Sequence, residues 1–256
     1  MSESLQRSRK GRLLRLALHR PEKRNALSFA LCRDLASAFE EAERDPEVGA
    51  ILLSGNGPAF CAGMDLSEVL APEAAVESRI HERLFTVGAR LKKPIVAAVH
   101  GAALAGGTGL AANAHILVAS EDATFGLTEI RIGLWPFLIF RSVAMAMGER
   151  RAVELALSGR IFGAGEAREF GLAHFVVPRA ELAQYGGKIA TDLSERSPVA
   201  LQAGLEYVNA ARSRASGESG ALALEFRDRV FGSADFSEGV SAFREKRSPH
   251  WPSIKG

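Results

Sequence analysis

Short apolar runs bounded by turn-forming residues alternate along this chain with longer stretches of helical spacing. The runs Leu13–Leu18 (with Arg15 inside it), Ala50–Leu53, Ile95–Val99 and Ile116–Ala119 predict buried strands. Between them, Leu31, Leu35, Ala38, Phe39 and Ala42 recur at helical spacing after Ser28, a residue suited to cap the start, and Asp45-Pro46 suits the end. Ala74–Leu91 reads as a second helix closed by Lys92-Lys93-Pro94, and Gly106–Ala114 as a third. From Arg150 onward the pattern turns mainly helical: Arg150–Leu157, Ala164–Glu169, Ala180–Glu195, Pro198–Ala211, Leu222–Phe231 and Ser237–Lys246, with one more strand at Phe175–Val177. The polar, small segment Ser213–Gly220 reads as a flexible connection. Alternating strands and helices predict an α/β core with a helical C-terminal region, divided at 1–195 and 196–256.

Composition narrows the class. A length of 256 residues with 47% apolar content is enough for one large domain with a substantial core. A formal net charge of +2 argues against nucleic acid as a partner. The basic N-terminal residues Arg7, Arg9, Lys10, Arg12, Arg15, Arg20, Lys23 and Arg24 read as a solvated arm. Two distant cysteines, Cys32 and Cys61, give neither a disulfide framework nor metal spacing. The longest apolar run, Ile132–Ala146, is interrupted by Arg141 and falls short of the roughly 18 residues a membrane span needs. With no signal-peptide pattern, a soluble cytoplasmic protein without membrane partners is expected. The chain has no phosphate-binding G-x-x-x-x-G-K-[ST] loop, no G-x-S-x-G elbow and no H-E-x-x-H pair.

The segment Ala103–Glu129 carries the candidate chemistry. A glycine-rich turn (Gly106, Gly107, Gly109) follows the strand Pro94–Val99, and Glu129 comes later in Phe125-Gly126-Leu127-Thr128-Glu129. Glycines let a backbone approach a ligand closely with its N–H groups free to stabilise an oxyanion, and a nearby carboxylate can move a proton. That pairing suits chemistry alpha to a carbonyl. Taken singly, Gly106-Gly107 also suits a plain strand-to-helix turn, Met64-Asp65 a surface loop, and Glu129 an ion pair with Arg131.

The order of the motifs raises the functional reading. The turn His19–Leu27 resembles R-P-x-x-x-N-A-L, Phe60–Leu66 resembles F-x-A-G-x-D-L, and Lys93–Gly101 resembles K-P-x-[IV]-A-A-x-x-G. Ala105-Gly106-Gly107 resembles a G-G-G turn, Phe125–Glu129 F-G-x-x-E, and Glu238–Arg247 E-G-x-x-A-F-x-E-K-R. In this order, over nearly the whole chain, they resemble the crotonase superfamily of enoyl-CoA hydratases and isomerases. The resemblance implies a crotonase-like α/β fold of repeated ββα units in two near-perpendicular sheets. It implies acyl-CoA thioester substrates and a homotrimer or hexamer, the C-terminal helices serving trimerisation. It also implies an oxyanion hole from the Met64 and Gly106 N–H groups and Glu129 as acid/base. Ala62, Met64, Asp65, Leu66, Gly106, Gly107 and Trp135 would contact substrate, and Lys246 would approach the CoA phosphates, in its own subunit or a neighbour. No metal or redox cofactor is expected.

Two departures matter. Family hydratases carry two glutamates, one in G-G-x-E-L-A, and here that stretch reads Gly106-Gly107-Thr108-Gly109-Leu110-Ala111, so Gly109 stands at the first glutamate position. The second departure is Gly133-Leu134-Trp135-Pro136-Phe137-Leu138-Ile139-Phe140, where the family carries small residues. These bulky side chains either reshape and dry the acyl pocket or simply fill core. Thr108 can sit near the vacant carboxylate position, His81 either faces the acyl pocket or is structural, and His100 and His115 read as structural. Retention of Glu129 alone favours double-bond isomerisation. Hydration with one glutamate, as in methylglutaconyl-CoA hydratase-like members, and acyl-CoA binding without turnover are the alternatives.

Overall fold

A computed structural model describes residues 3–69, 74–212, 214 and 216–254. Strands β1 (Leu5–Lys10) and β2 (Leu13–Leu18) form an antiparallel hairpin, and helix α1 (Phe29–Arg44) then leads to strand β3 (Ala50–Gly55). Helices α2 (Leu66–Val69) and α3 (Ala74–Phe85) precede strands β4 (Ile95–Val99) and β5 (Ala102–Leu104), helix α4 (Gly106–Ala112) and strands β6 (Ile116–Ser120) and β7 (Thr124–Gly126). Helices α5 (Phe137–Met147) and α6 (Glu149–Ser158), strand β8 (Ile161–Gly163), helix α7 (Ala164–Glu169) and strand β9 (Phe175–Val177) follow. Helices α8 (Leu182–Ser194), α9 (Pro198–Ala211), α10 (Ser216–Phe231) and α11 (Ala234–Glu245) complete the described chain.

One sheet has the order β1-β2-β3-β4-β6-β9 and is parallel apart from the β1–β2 pair. A smaller sheet pairs β5 with β7 in parallel and β7 with β8 antiparallel. Alternate residues of a strand point to opposite faces. On one face Leu16, Ile51, Leu53, Ala97, Val99 and Leu117 join the main core under α1 and α4. On the other, Leu13, Ala50, Leu52, Val96, Ala98 and Val118 pack against Leu182 and Ala190 of α8. Both faces are covered, so these strands read as unbroken apolar runs.

The cap of α1 forms as its sequence indicates, with Ser28 Oγ accepting from the Leu31 N–H at 3.2 Å. Three expectations need correction, and three short strands were not foreseen. The basic N-terminal stretch is not a free arm, because Leu5–Lys10 is an edge strand, with Arg7 donating to Glu41 Oε2 at 2.8 Å and to the Asp34 carbonyl at 2.9 Å. Charge on a sheet edge hides it from a hydropathy pattern while protecting it from further pairing. The helix over Ala74–Leu91 ends at Phe85, and a 3-10 turn follows at Val87–Ala89. There Gly88 lies so close to α4 that a Cβ would stand 2.1 Å from the Asn113 carbonyl oxygen. The three-residue strands β5, β7 and β8 are too short to show periodicity. Finally, the connection expected over Ser213–Gly220 is helical from Ser216, while residues 213 and 215 lie outside the described chain.

Candidate active site

The loop after β3 is fastened on both sides. The Leu27 N–H donates to the Gly63 carbonyl at 2.8 Å, and the Asp65 N–H donates to the Leu27 carbonyl at 3.0 Å. Cys61 exchanges backbone hydrogen bonds with β5, through Cys61 N–H to Ala102 O and Leu104 N–H to Cys61 O, both 3.0 Å. The turn that holds this loop has Arg24 and Asn25 in the left-handed region, at φ 49° and 55°. Asn25 is fully buried, with its amide donating to the carbonyls of Asn56 (2.9 Å) and Ala59 (2.8 Å). Its Oδ1 accepts from the Arg20 N–H at 2.7 Å. Arg20 in turn reaches the Ala26 carbonyl at 2.6 Å and Asp65 Oδ2 at 3.0 Å. Ser67, and then Arg20, hold the Asp65 carboxyl below its ordinary range despite partial burial.

Against this loop sits the glycine turn. A Cβ on Gly63 would lie 3.5 Å from the Gly106 nitrogen, and one on Gly106 3.7 Å from the Gly63 Cα. The two segments meet through their glycines, which brings the Met64 and Gly106 amides to one place. Among the described residues, neither N–H donates in a turn, loop or cap hydrogen bond, and Gly106 opens α4, where amides lack intrahelical acceptors. Ala105, just before it, is held at φ 50° and ψ −121°, a conformation that costs about 1–3 kcal/mol for a residue with a Cβ. Its N–H donates to the Gly126 carbonyl at 2.8 Å. Thr108 helps to hold that strained turn: its hydroxyl donates to the Ala103 carbonyl at 2.6 Å and accepts from the Gly126 N–H at 3.1 Å. Thr108 is therefore a clamp to β7.

Glu129 lies in a 3-10 turn, Thr128–Ile132, after β7. It is 8% exposed, and its Oε2 has no hydrogen-bond partner in the protein. Burial pushes its pKa up to about 7, opposed only by a hydrogen bond from its own backbone, so no ion pair with Arg131 forms. It faces a cavity of about 350 Å³ that also includes Ala62, Met64, Gly106 and Trp135. Among the described lining residues it is the single carboxylate, and His81 is the other titratable side chain. No group of three or more His, Cys, Asp or Glu side chains fit to hold a metal ion occurs among the described residues.

Of the residues expected from sequence, Ala62, Met64, Leu66, Gly106, Glu129 and Trp135 surround this cavity. Asp65, Gly107 and Lys246 do not. Asp65 is turned to Arg20 and Ser67. Gly107 packs under Cys61, where a Cβ would stand 2.1 Å from the Cys61 carbonyl oxygen. Lys246 is an exposed residue at the left-handed end of α11. His81 lies on the cavity wall, 5.3 Å ring to ring from Phe29. The sequence reading missed Phe29, Phe85 and Ile132, and the helical spacing of Phe29 to α1 carried no sign that it faces outward into a pocket.

Gly109 explains the bulky segment. A Cβ there would lie 2.2 Å from Ile139 Cγ2 and 2.5 Å from Ile139 Cβ. The place where a side chain at 109 would enter is filled by Ile139 at the start of α5, itself a cavity residue. The bulky residues thus do both things proposed for them, as Ile139 and Phe140 join the core while Leu134–Ile139 line the pocket.

Comparison with known proteins defines the class first. An enoyl-CoA hydratase from Mycobacterium smegmatis superposes with a TM-score of 0.91 at 30% identity, covering 98% of this chain and 99% of that one. The chain therefore has the crotonase fold. The enoyl-CoA hydratase/isomerase family model matches residues 8–254, and the chain belongs to that family. It is 35% identical to a mevalonyl-coenzyme A hydratase of Aspergillus fumigatus, over 93% of this chain and 91% of that protein. It is 34% identical to a 2,3-dehydroadipyl-CoA hydratase of Escherichia coli, over 94% and 96%.

Proposed function

We propose that this enzyme shifts the double bond of an enoyl-CoA thioester using one carboxylate. The observation that carries the reading is Glu129, alone in an apolar cavity, with Ile139 occupying the space beside Gly109. The thioester carbonyl oxygen accepts from the Met64 and Gly106 N–H groups, which favours the enolate; one such donor is worth roughly 3–4 kcal/mol in a well-studied protease. Ionised Glu129 removes a proton from C2 of a 3-enoyl thioester. The electron pair delocalises through the double bond, and the same carboxyl returns the proton at C4, giving the conjugated 2-enoyl product. A dry site favours this over water addition, and it keeps a carboxyl group near the midpoint of its titration, able both to take and to return a proton. Ile132 and Phe137 at the cavity rim are 58% and 74% exposed in the single chain, apolar surface open to substrate or a neighbouring subunit, and the homotrimer or hexamer proposed for this chain rests on the family resemblance.

Hydration with one glutamate is the second reading, favoured by the names of the relatives. A panel of 3-enoyl- and 2-enoyl-CoA thioesters read by absorbance and mass separates the two. A conjugated product of unchanged mass, lost in Glu129→Gln, is the expected result. A product heavier by one water supports hydration and overturns the isomerase reading.

A further inference from the structure

The acyl cavity has a neighbour of different chemistry. A second cavity, of about 730 Å³, lies beyond Phe85 and Leu138, the two residues that line both among the described residues. Of these two, Phe85 is buried and Leu138 is 43% exposed. The second cavity is bordered by Arg90, Arg141, Arg212, His115 and His174, against one described carboxylate, Glu82.

The arginines are not equally occupied. Arg90 donates to the Arg83 carbonyl and to Thr86 Oγ1. Arg212 gives one N–H to Asn209 Oδ1 at 3.0 Å and meets no carboxylate among the described residues. Arg141 has no hydrogen-bond or ion-pair partner among the described residues. Arg141 and Arg212 are both exposed; partial desolvation first, and the nearby charge of Arg141 second, lower the pKa of Arg212, while burial followed by Arg212 pushes His115 down to about 4. Like charges therefore converge here, with Glu82 the one carboxylate among the described lining residues.

The two histidines add donors. His115 Nδ1 accepts from the Ile95 N–H at 3.0 Å, and His174 Nδ1 accepts from the Leu117 N–H at 3.1 Å. With Nδ1 accepting, each ring carries a proton on Nε2 as a donor. The one amide at the partition, Asn113, is spent: its nitrogen donates to the Phe85 and Gly109 carbonyls, and its oxygen accepts from Ser142 Oγ. Arg141 stands one turn beyond Leu138 on α5, about 5 Å along the axis. A chain that leaves Gly106 and passes between Phe85 and Leu138 meets guanidinium within a few more methylenes.

We propose that the second cavity binds a carboxylate at the far end of the acyl chain, recognised by Arg141 and Arg212, so that the preferred substrates are CoA thioesters of dicarboxylic acids. This rests on the acyl-CoA reading of the first cavity. The two cavities adjoin at Phe85 and Leu138, which favours a substrate tail over an acidic surface of a second copy.

The test needs no knowledge of the reaction. Calorimetry measures binding of saturated acyl-CoA thioesters ending in a carboxylate and of methyl-ended counterparts of equal length, over a series of lengths. The proteins are the wild type, Arg141→Met, Arg212→Met and the double variant, with assembly state followed by light scattering. The expected result is a preference for the carboxylate of roughly tenfold to a hundredfold at the lengths that reach, reduced in each single variant and falling to about one in the double variant. A ratio near one in the wild type, or one preserved in the double variant, overturns the inference while leaving the acyl-CoA reading intact. A double variant that dissociates with its ratio unchanged assigns the arginines to a subunit contact and also overturns it. If neither thioester binds at any length, the acyl-CoA reading falls, and this inference falls with it.

Discussion

Glu129→Gln isolates the buried carboxyl, and two independent readouts then report the same pKa. In the folded protein Glu129 titrates at about 7 against an ordinary 4.5, because burial penalises its charged form. Between those values the native state holds a proton that the unfolded state releases, so stability falls as pH rises across this window and is flat outside it. At 1.36 kcal/mol per unit, the raised pKa of Glu129 destabilises the fold by about 0.8 kcal/mol at pH 5 and about 3 kcal/mol at pH 8, relative to acid pH. Glutamine mimics the protonated form at every pH. The stability difference between variant and wild type, from urea unfolding, therefore grows in favour of the variant by about 2–2.5 kcal/mol from pH 5 to pH 8. Catalysis runs the opposite way. The ionised fraction rises from about 9% at pH 6 to about 91% at pH 8, so kcat/KM climbs about tenfold with a midpoint near 7, and Glu129→Gln loses roughly a hundredfold to ten-thousandfold. A stability difference that does not change with pH, or a variant that keeps turnover while folded, refutes the reasoning.

Other positions give sharper local tests. Gly109→Ala places a methyl 2.2 Å from Ile139 Cγ2 and is expected to destabilise by about 1–3 kcal/mol. In an Ile139→Gly background the same change should become neutral or slightly stabilising, since alanine otherwise favours a helix; a denaturant double-mutant cycle showing no coupling would count against the packing argument. Asn25→Ala removes hydrogen bonds to Asn56, Ala59 and Arg20 at a left-handed residue, and urea unfolding should show a loss of about 2–4 kcal/mol. Burial and then Arg212 hold His115 at about 4, so the unfolded chain binds its proton first and stability falls as pH drops from 6.5 towards 4. His115→Gln should flatten that acid limb in melts taken across the same range.

Much of the fold was legible because its physics is local. Ser28 capped the helix it preceded, Leu13–Leu18 and Phe175–Val177 formed the strands their runs implied, and Ala164–Glu169 and Pro198–Ala211 formed the helices read for them. The failures came where pairing rather than pattern decides. Leu5–Lys10 has one buried residue and becomes a strand only because β2 offers it an edge. Strands β5, β7 and β8 exist because they register with one another. In the site, motif order located Met64, Gly106 and Glu129 around one cavity, since loops that converge carry fixed turn chemistry. Motif order did not separate residues that line the cavity from those that hold it, and Asp65 and Gly107 proved to be the latter.

The two departures noted in the sequence are one physical event. A glycine at 109 and a bulky segment at 134–140 look unrelated along the chain, because α4 and α5 are far apart in sequence. In space, Ile139 enters the gap that only a residue without a Cβ leaves open. An acidic side chain at 109 and isoleucine at 139 therefore exclude one another, and restoring the carboxylate alone yields a strained protein rather than a two-carboxylate site. Ile139 lines the same apolar cavity as Glu129, whose burial raises its pKa. The absence of a carboxylate at 109 and the apolar surroundings of the one at 129 thus meet at a single residue, Ile139.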